Sequence, residues 1–331
     1  VILSSKKINL LLAPSGDHPS TALLLLLAGV ILLALQDSLI KFISDSTSFW
    51  QIQTLRSAGN MSLVFCLAIF SGGVQLIYPQ RRFAVAARSF IMVLCMFCFF
   101  SASPFLSVAQ MAAGLYTYPL FVSLLAAPLL GEIVGRWRVG ALIIGAAGGL
   151  LMLNPLAKTF SLAQLLPIAA GFLYACNIII LRRYCRGETP LALTFANGAM
   201  FFISGLAGII ILSFSPLSQN LQTAMPFVAI GWPAMGVSVI GFAVLCSVLN
   251  LLGNLGLTRA YQTAESSWLA PLDFSYLLFA AFWGKVIFHS WPTTYDWLGM
   301  ILITSAGVIT AWREHRQNLK TNPTGNTVVK R

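Results

Sequence analysis

Residues 106–132 read LSVAQMAAGLYTYPLFVSLLAAPLLGE. This stretch is apolar and exceeds the roughly 20 residues that a helix needs to cross a lipid bilayer. Two tyrosines and a proline nevertheless lie near its middle, at Tyr116, Tyr118 and Pro119. The same arrangement returns later in the chain, and this repetition governs the interpretation of the whole sequence.

The second copy is residues 257–284, LTRAYQTAESSWLAPLDFSYLLFAAFWG. Trp268 and Pro271 lie in the middle of this copy, and an apolar run again leads to a glycine. Each copy is followed by one last apolar, glycine-bearing span, at 139–153 and at 296–312. The chain is therefore interpreted as two related halves, each of which closes with this pair of spans.

The composition excludes a soluble protein. Of the 331 residues, 58% are hydrophobic and 9% are charged, whereas soluble domains carry about 25% charged residues. A net charge of +11 would suggest nucleic acid in a soluble protein. Here the basic residues lie mostly in short loops between apolar spans, as the positive-inside rule describes, so a lipid bilayer and no nucleic acid is the expected partner.

Ten apolar spans can be counted along the chain. Helices are the only suitable form, because backbone polar groups must be satisfied internally in lipid and these runs are too long for barrel strands. The predicted spans are roughly 21–43, 49–71, 84–103, 107–130, 137–154, 162–182, 191–214, 227–252, 262–285 and 295–312. The predicted fold class is an all-α integral membrane protein with ten transmembrane helices.

These spans divide the chain into four parts. Residues 1–20 are an N-terminal tail, 21–154 a first repeat of five helices, 162–312 a second repeat of five helices, and 313–331 a basic tail that is expected to be disordered. The apolar run 22–35 is interpreted as the first retained span and not as a signal peptide, because it continues into polar residues without a small-residue cleavage site.

The distribution of basic residues predicts the orientation. They concentrate in both tails and in alternate loops, which places both termini in the cytoplasm. Five spans per half is an odd number, so the second half must enter the membrane upside down relative to the first. The charges agree, since the loop with Arg81 and Arg82 has an uncharged counterpart at 215–226. Inverted repeats are typical of secondary transporters, whose binding site lies near the midplane between the repeats.

The chain resembles the EamA-type transporters of the drug/metabolite transporter superfamily over about residues 20–313. The matching positions are Asp37 and Lys41 in the first span, Arg56 in the second, Pro119-Leu-Phe through Gly131-Glu132 in the fourth, Gly145-Ala-Ala-Gly-Gly149 in the fifth and Ala270-Pro271-Leu272-Asp273 in the ninth. The chain departs from the pattern at His289-Ser290 before Pro292, where the family often repeats Gly-Glu.

The resemblance implies a 5+5 inverted repeat around a central cavity, with the last helix of each half peripheral, in a bacterial cytoplasmic (inner) membrane. It also implies a small organic solute as cargo. Amino acids and their derivatives, vitamins such as riboflavin, nucleosides and amphipathic drugs all fall within that range.

Charged residues occur inside the predicted spans. Asp37 and Lys41 are one helical turn apart and so face one side of the first span, and Arg56 lies one turn into the second. A charge at the bilayer centre costs about 2.5–3.5 kcal/mol, so each needs a partner or water. The three predict a compact ion-pair cluster, which is either a structural clamp or a substrate-binding or gating element. Near the cytoplasmic end of the ninth span, Arg259 and Glu265 are either a local ion pair or an inner gate.

Asp273 is the sharper functional candidate. It lies about ten residues into the ninth span, two positions after Pro271. Proline lacks a backbone donor and frees a carbonyl one turn back, which is then available to a cavity. As a hypothesis, Asp273 binds a cationic group of the substrate or carries a coupling proton. The alternative is a structural hydrogen bond to a neighbouring helix, with Asn250 or Asn254 as the partner.

The remaining candidates for the substrate pathway lie beside the two prolines or in the sixth span. They are Tyr116, Tyr118, Pro119, Trp268, Pro271, Tyr276, Tyr174 and Asn177. Buried hydroxyl and indole groups need hydrogen-bond partners, and aromatic walls suit amphipathic or aromatic ligands. Core packing is the alternative interpretation for each of them.

Two short motifs predict helix packing. Gly145 and Gly149 form a small-xxx-small pair, which favours close packing either within the chain or in a homodimer. Cys95 and Cys98 have the C-x-x-C spacing of redox and zinc motifs, but they lie in an apolar run without a histidine nearby. Ordinary packing is therefore expected for both cysteines.

Taken as a whole, the sequence favours a secondary transporter of small organic solutes that works by alternating access. It contains no ATP-binding motif, so an ion gradient such as protons, exchange or the solute's own gradient would drive it, and no cofactor is expected. All three histidines fall outside the spans, so an intramembrane enzyme is poorly supplied with catalytic or metal-binding groups. The main alternative is a receptor or accessory subunit that does not transport. Substrate, direction and oligomeric state are open.

Overall fold

The structure, a computed structural model, describes residues 19–130, 136–153, 162–185, 187–263 and 269–321. Every regular element within these ranges is helical. The α-helices are α1 Pro19–Phe42, α2 Phe49–Ser71, α3 Arg82–Ser101, α4 Val108–Leu115, α5 Tyr118–Leu130, α6 Arg136–Leu153, α7 Leu166–Tyr184, α8 Pro190–Phe214, α9 Gln219–Ala224, α10 Pro226–Ala229, α11 Val237–Thr263, α12 Ser275–Phe288 and α13 Thr294–Thr321. Short 3-10 segments lie at Val74–Ile77, Leu162–Leu165 and Ala270–Phe274.

Within the described residues, seven helical stretches are long and apolar enough to cross a membrane. They are Ser20–Phe42, Phe49–Ser71, Arg82–Ser101, Val108–Leu125, Leu166–Tyr184, Pro190–Phe214 and Val237–Ala260. Two shorter apolar helices, Val139–Met152 and Thr294–Ile309, fall in the fifth and tenth predicted spans. The chain is thus all-helical where it is described, with seven candidate membrane-spanning helices.

Polar caps determine where helices begin. The Ser48 hydroxyl accepts a hydrogen bond from the Gln51 amide at 3.1 Å at the start of α2. Ser107 and Gln110 form a reciprocal capping box at the start of α4. Such caps satisfy backbone N–H groups that have no partner within the helix, and so they define the residue at which each helix begins.

The fourth predicted span, 107–130, consists of two helices. α4 ends at Leu115 and α5 begins at Tyr118, so the break falls among the predicted aromatic residues. Pro119 lies in the first turn of α5, where its missing N–H and fixed φ are tolerated. Pro271 lies in the first turn of the Ala270–Phe274 segment in the same way. Each proline therefore starts a helical segment in the middle of its span.

Two predicted boundaries were wrong. The eighth span was expected at 227–252, but α11 runs from Val237 to Thr263. Pro233 and the glycines on either side of it disfavour a helix just before α11. The disordered tail was expected from residue 313, but α13 continues through good helix formers to Thr321.

Four helix pairs make the most extensive contacts, and each joins the first predicted repeat to the second. The pairs are α1 with α11, α6 with α13, α2 with α8 and α3 with α7. α4 and α5 also pack against α7, and α12 packs against α1. The core therefore lies between the two halves of the chain and not within either half.

Glycines allow the backbones of α6 and α13 to approach closely. A Cβ on Gly148 would lie 2.8 Å from the Gly299 carbonyl oxygen, and a Cβ on Gly299 would lie 2.7 Å from that of Gly148. Gly145 lies against Leu120 of α5, whereas Gly149 has only an ordinary contact with Thr117 at 3.9 Å. Gly145 thus packs within the chain, and the close backbone approach between α6 and α13 falls at Gly148.

Candidate functional site

Five aromatic side chains, here named the aromatic group, meet near the break between α4 and α5. They are Tyr116, Tyr118, Tyr174, Phe274 and Tyr276. Tyr116 stacks on Tyr276, with ring centroids 5.0 Å apart and planes 16° from parallel. It also meets Phe274 and Tyr118 edge-on at 5.6 and 5.8 Å. Tyr118 in turn meets Tyr174 edge-on at 4.9 Å, so predicted tyrosines from both repeats come together in one place.

A glycine brings α7 against the break. A Cβ on Gly171 would lie 2.7 Å from Thr117 Oγ1 and 2.9 Å from the Leu115 carbonyl oxygen. Only a residue without a side chain fits so close to the two neighbouring backbones. This approach places Tyr174, one turn further along α7, against Tyr118.

Asp37 lies directly beside the aromatic group. The Tyr276 hydroxyl donates a 2.5 Å hydrogen bond to Asp37 Oδ2, and Gln36 Nε2 donates a 2.9 Å bond to Asp37 Oδ1. Because Tyr276 also stacks on Tyr116, the carboxylate and the stacked rings form one continuous surface. The bond from Tyr276 joins α12 in the second repeat to α1 in the first.

Lys41 bonds to backbone rather than to an acid of the predicted cluster. Its ammonium donates to the Ser103 carbonyl at 2.8 Å and also to the Leu106 carbonyl. It lies over the ring of Phe288, 5.6 Å from the centroid. These contacts tie the end of α1 to the turn that follows α3.

Arg56 is deeply enclosed in α2, with 5% of its surface exposed. Its Nη2 donates a 2.6 Å hydrogen bond to Gln53 Oε1, and its guanidinium carbon lies 5.7 Å from the centroid of the Phe201 ring. Asp37 and Arg56 lie within electrostatic range of each other. For the three charged residues, polar contacts with neighbours thus take the place of the expected ion-pair cluster.

Asp273 directly precedes Phe274 of the aromatic group. It lies in the Ala270–Phe274 segment, within electrostatic range of Tyr116 and Tyr174. The aromatic group therefore has one acidic residue from each predicted repeat beside it, Asp37 and Asp273.

Three predicted asparagines are used in helix packing. Asn250 Oδ1 accepts a 3.0 Å hydrogen bond from Asn60 Nδ2, which joins α11 to α2. The exposed Asn254 donates to the Asn250 carbonyl of its own helix at 2.8 Å. Asn177 Nδ2 donates to the Arg88 carbonyl at 2.9 Å and joins α7 to α3.

The predicted inner gate cannot be placed. Arg259 lies near the end of α11. Glu265 and Trp268 lie outside the described residues, and so does the predicted contact between Arg259 and Glu265.

Sequence reasoning missed four residues around the site. Phe274 follows Asp273 directly, Gln36 precedes Asp37, and Gln53 lies one helical turn before Arg56, so proximity to the charged positions was the available signal. The fourth, Arg88, lies in the second turn of α3. Its Nε and Nη1 atoms are buried without a hydrogen-bond partner among the described residues, and Tyr174 lies within electrostatic range.

A separate cavity of about 210 Å³ lies where the start of α4, the end of α12 and the start of α13 meet. Its one acid, Asp296, is 4% exposed. Asp296 accepts hydrogen bonds from Gln110 Nε2 at 2.9 Å and from the Thr293 amide at 2.8 Å. Because these bonds cap α13 and link it to α4, the residue acts as a structural tie.

The described residues contain no group of three or more metal-ligating side chains close enough to hold a metal ion. The Cys95 thiol donates to the Ala170 carbonyl of α7 at 3.2 Å. Both Cys95 and Cys98 are free thiols, and Cys95 is buried among apolar side chains. Their geometry is that of helix packing.

Several known proteins similar to this chain are transporters by name. A riboflavin transporter of Vibrio cholerae is 26% identical over 215 residues, which cover 64% of this chain and 66% of that protein, just under two thirds of its length. A riboflavin transporter of Rhizobium johnstonii is 25% identical over 279 residues, which cover 84% of each chain. The pseudopaline exporter CntI of Pseudomonas aeruginosa is 24% identical over 291 residues, which cover 85% of this chain and 95% of that protein.

No family model matches the chain. One solved crystal structure superimposes with a TM-score of 0.53 at 17% identity, covering 90% of this chain and 99% of the other. A likeness at that identity concerns the fold alone. Together with the apolar helices, the named relatives show that the chain is a multi-pass membrane protein related to bacterial transporters of small solutes.

Proposed function

We propose that this protein is a secondary transporter that carries a planar heteroaromatic solute of the riboflavin type across a bacterial inner membrane. The observation that carries the proposal is the aromatic group beside Asp37. The stacked rings of Tyr116 and Tyr276 place an aromatic pair at the contact between the two repeats, and Asp37 adds a polar group at its edge. A flat, polar-edged ring system needs both features in a binding site. The riboflavin transporters among the similar proteins support this choice of solute.

The proposed architecture is ten membrane helices in a 5+5 inverted repeat, with both termini cytoplasmic. The helix pairs support it. Suppose that the spans of the first repeat correspond in order to those of the second. The twofold relation then converts the α1–α11 pair into the α7–α3 pair, and it converts α2–α8 and α6–α13 each into the same pair. One twofold relation thus accounts for all four extensive pairs.

The proposed mechanism is alternating access. Asp37 and Tyr116 come from the first repeat and Tyr276 from the second, so rocking of one repeat against the other opens or closes the site between them. The helix starts at Pro119 and Pro271 are the points where backbone direction can change in mid-span. In this proposal Asp273 carries the coupling proton, because it lies beside the aromatic group without being part of it.

Riboflavin flux tests the proposal directly. We would reconstitute the full chain in liposomes and follow riboflavin by its own fluorescence, with and without an inward proton gradient. Saturable uptake that is lost in Tyr116→Ala and retained in Tyr78→Ala is the expected result, because Tyr78 is 65% exposed and follows the Val74–Ile77 segment, which carries no residue of the site. Absence of riboflavin flux in either direction, in protein shown to be folded and inserted, would overturn the proposal.

Export of a small amphipathic metabolite is the second candidate. The alignment with the pseudopaline exporter covers 95% of that protein, more than the alignments with the two riboflavin transporters cover of theirs. Vesicles preloaded with a mixed metabolite extract separate the two candidates. Selective loss of one compound class from the lumen, without riboflavin movement, would favour export.

A further inference from the structure

Three buried polar side chains near Asp37 each keep one hydrogen-bonding atom without a partner. Gln36, Gln53 and Arg56 are 3%, 1% and 5% exposed. Gln36 Oε1, Gln53 Nε2 and Arg56 Nε have no hydrogen-bond partner among the described residues. Buried polar groups in native proteins nearly always find a partner, so three unpaired ones in a single region indicate that something binds there.

The orientation of both amides is fixed by their other atoms. Gln36 Nε2 donates to Asp37 Oδ1, which leaves Gln36 Oε1 as the atom without a partner among the described residues. Gln53 Oε1 accepts from Arg56 Nη2, which can only donate, so Gln53 presents its NH2 group. The unpaired set therefore consists of one acceptor, from Gln36, and two donors, from Gln53 and Arg56.

The backbones of Gln36 and Arg56 both contact the same part of α11. The Ser247 hydroxyl donates to the Arg56 carbonyl at 2.9 Å, and the adjacent Cys246 thiol lies 3.9 Å from the Gln36 carbonyl oxygen. Asp37, which orients Gln36, lies within electrostatic range of Arg56, which orients Gln53. A chain of polar contacts thus runs between α1 and α2 with α11 behind it.

The aromatic group adjoins this chain of contacts. The Tyr276 hydroxyl bonds to Asp37, and the Tyr276 ring stacks on Tyr116. A planar ligand stacked on the aromatic group would therefore place one edge beside Asp37, in the region of Gln36 and Arg56.

We propose that Gln36, Gln53 and Arg56 form a subsite for a cyclic imide edge, in which a ring N–H stands between two carbonyl groups. The ring N–H donates to Gln36 Oε1, and the two carbonyl oxygens accept from Gln53 Nε2 and Arg56 Nε. Two donors and one acceptor on the protein match two acceptors and one donor on the ligand, so each unpaired atom gains a partner.

This inference deepens the proposed function and rests on it. The ring system of riboflavin carries such an imide edge, and the subsite names that edge as the part of the solute that is recognised. It also predicts selectivity, because a site built to pair buried polar groups rejects an analogue that cannot pair them.

Two methylated isomers of one probe test the edge directly. Lumichrome has the imide edge and the flat ring system but no ribityl chain. In 3-methyllumichrome the imide N–H is blocked, whereas 1-methyllumichrome has the same size and keeps that N–H. Binding to the purified full chain in lipid nanodiscs would be measured by lumichrome fluorescence. The 3-methyl isomer is expected to bind about tenfold more weakly than the 1-methyl isomer, or worse.

Glutamine variants test which residue accepts the hydrogen bond from the imide N–H of the ligand. Gln36→Met removes the acceptor, so the preference for the 1-methyl isomer should disappear. Gln51→Met is the matched control, since Gln51 is equally buried in α2 but both of its amide atoms are bonded, to Thr47 and Pro233. That control should retain the full preference. The ratio of two affinities on one preparation does not depend on protein yield.

The outcomes separate the subsite from transport. Equal binding of the two isomers by the wild type, an unchanged preference in Gln36→Met, or no binding of lumichrome at all would overturn the subsite. Riboflavin flux in liposomes is measured independently. If riboflavin is transported but the two isomers bind equally, the proposed function stands and the subsite is overturned. If the isomers bind differently but no riboflavin is transported, the subsite stands and the proposed function is overturned.

Discussion

The Tyr276 hydroxyl donates a hydrogen bond to Asp37 Oδ2 at 2.5 Å, across 239 positions of the sequence. The bond connects the first helix of one half of the chain to the second half at the aromatic group. It therefore couples the orientation of an acid to a contact between the two halves, and any relative movement of the halves must either preserve it or break it.

Tyr276→Phe removes this bond and keeps the ring that stacks on Tyr116. Hydrogen bonds to charged groups contribute about 1.5–3 kcal/mol, so the free energy of unfolding should fall by about that amount. Riboflavin KM should rise, because Asp37 loses its orienting donor. Thermal unfolding in detergent and flux in liposomes measure the two effects. Tyr184→Phe, at an exposed tyrosine in the last turn of α7, is the control, and equal behaviour of the two variants would contradict a role for the bond.

Asp273→Asn should remove any stimulation of riboflavin uptake by an inward proton gradient. The amide cannot take up or release a proton, while its size and position stay close to those of the acid. Uptake at equal pH on both sides should persist. Asp45→Asn, at an exposed acid beyond the end of α1, should respond to the gradient like the wild type. A normal gradient response in Asp273→Asn would place the coupling proton elsewhere.

Lys41→Met tests the clamp at the end of α1. The variant loses the bonds to the Ser103 and Leu106 carbonyls but keeps an unbranched apolar side chain. Its free energy of unfolding should fall by about 1–3 kcal/mol, because two buried carbonyls lose their donor. Riboflavin KM should change little. Unchanged stability combined with a large rise in KM would instead assign Lys41 to gating.

Gly148→Ala and Gly149→Ala form a matched pair on α6. A Cβ at Gly148 would lie 2.8 Å from the Gly299 carbonyl, so the α6–α13 contact must separate and the protein should be destabilised. A Cβ at Gly149 meets nothing closer than 3.9 Å, so the alanine there should be neutral or stabilising by up to about 1 kcal/mol. Thermal unfolding compares the two, and the reverse order would show that the close approach is not required.

The helical class could be predicted because a long apolar run must form a helix in lipid, whatever it packs against. Boundaries were harder. The start of α11 depends on the Pro233 region, and the continuation of α13 to Thr321 depends on helix propensity outside the apolar run. Neither is visible in a count of apolar residues.

The tyrosines of the site could be predicted because Tyr116, Tyr118 and Tyr276 lie beside prolines in the middle of apolar runs. What they contact could not, since the bond between Asp37 and Tyr276 depends on how distant helices pack. The same limit applies to Lys41. Its charge suggested an ion pair, and the structure gives it two backbone carbonyls from the turn after α3.

The four extensive helix pairs also bear on how the chain is made. Each pair joins a helix from the first half to one from the second. The glycine face of α6 therefore stays uncovered until α13 has been synthesised. The first half leaves the ribosome with its strongest partners still missing, and domains normally fold as units during synthesis. A chain that stops after the first half would therefore be a substrate for membrane proteases, or would borrow the missing surfaces from another copy of itself.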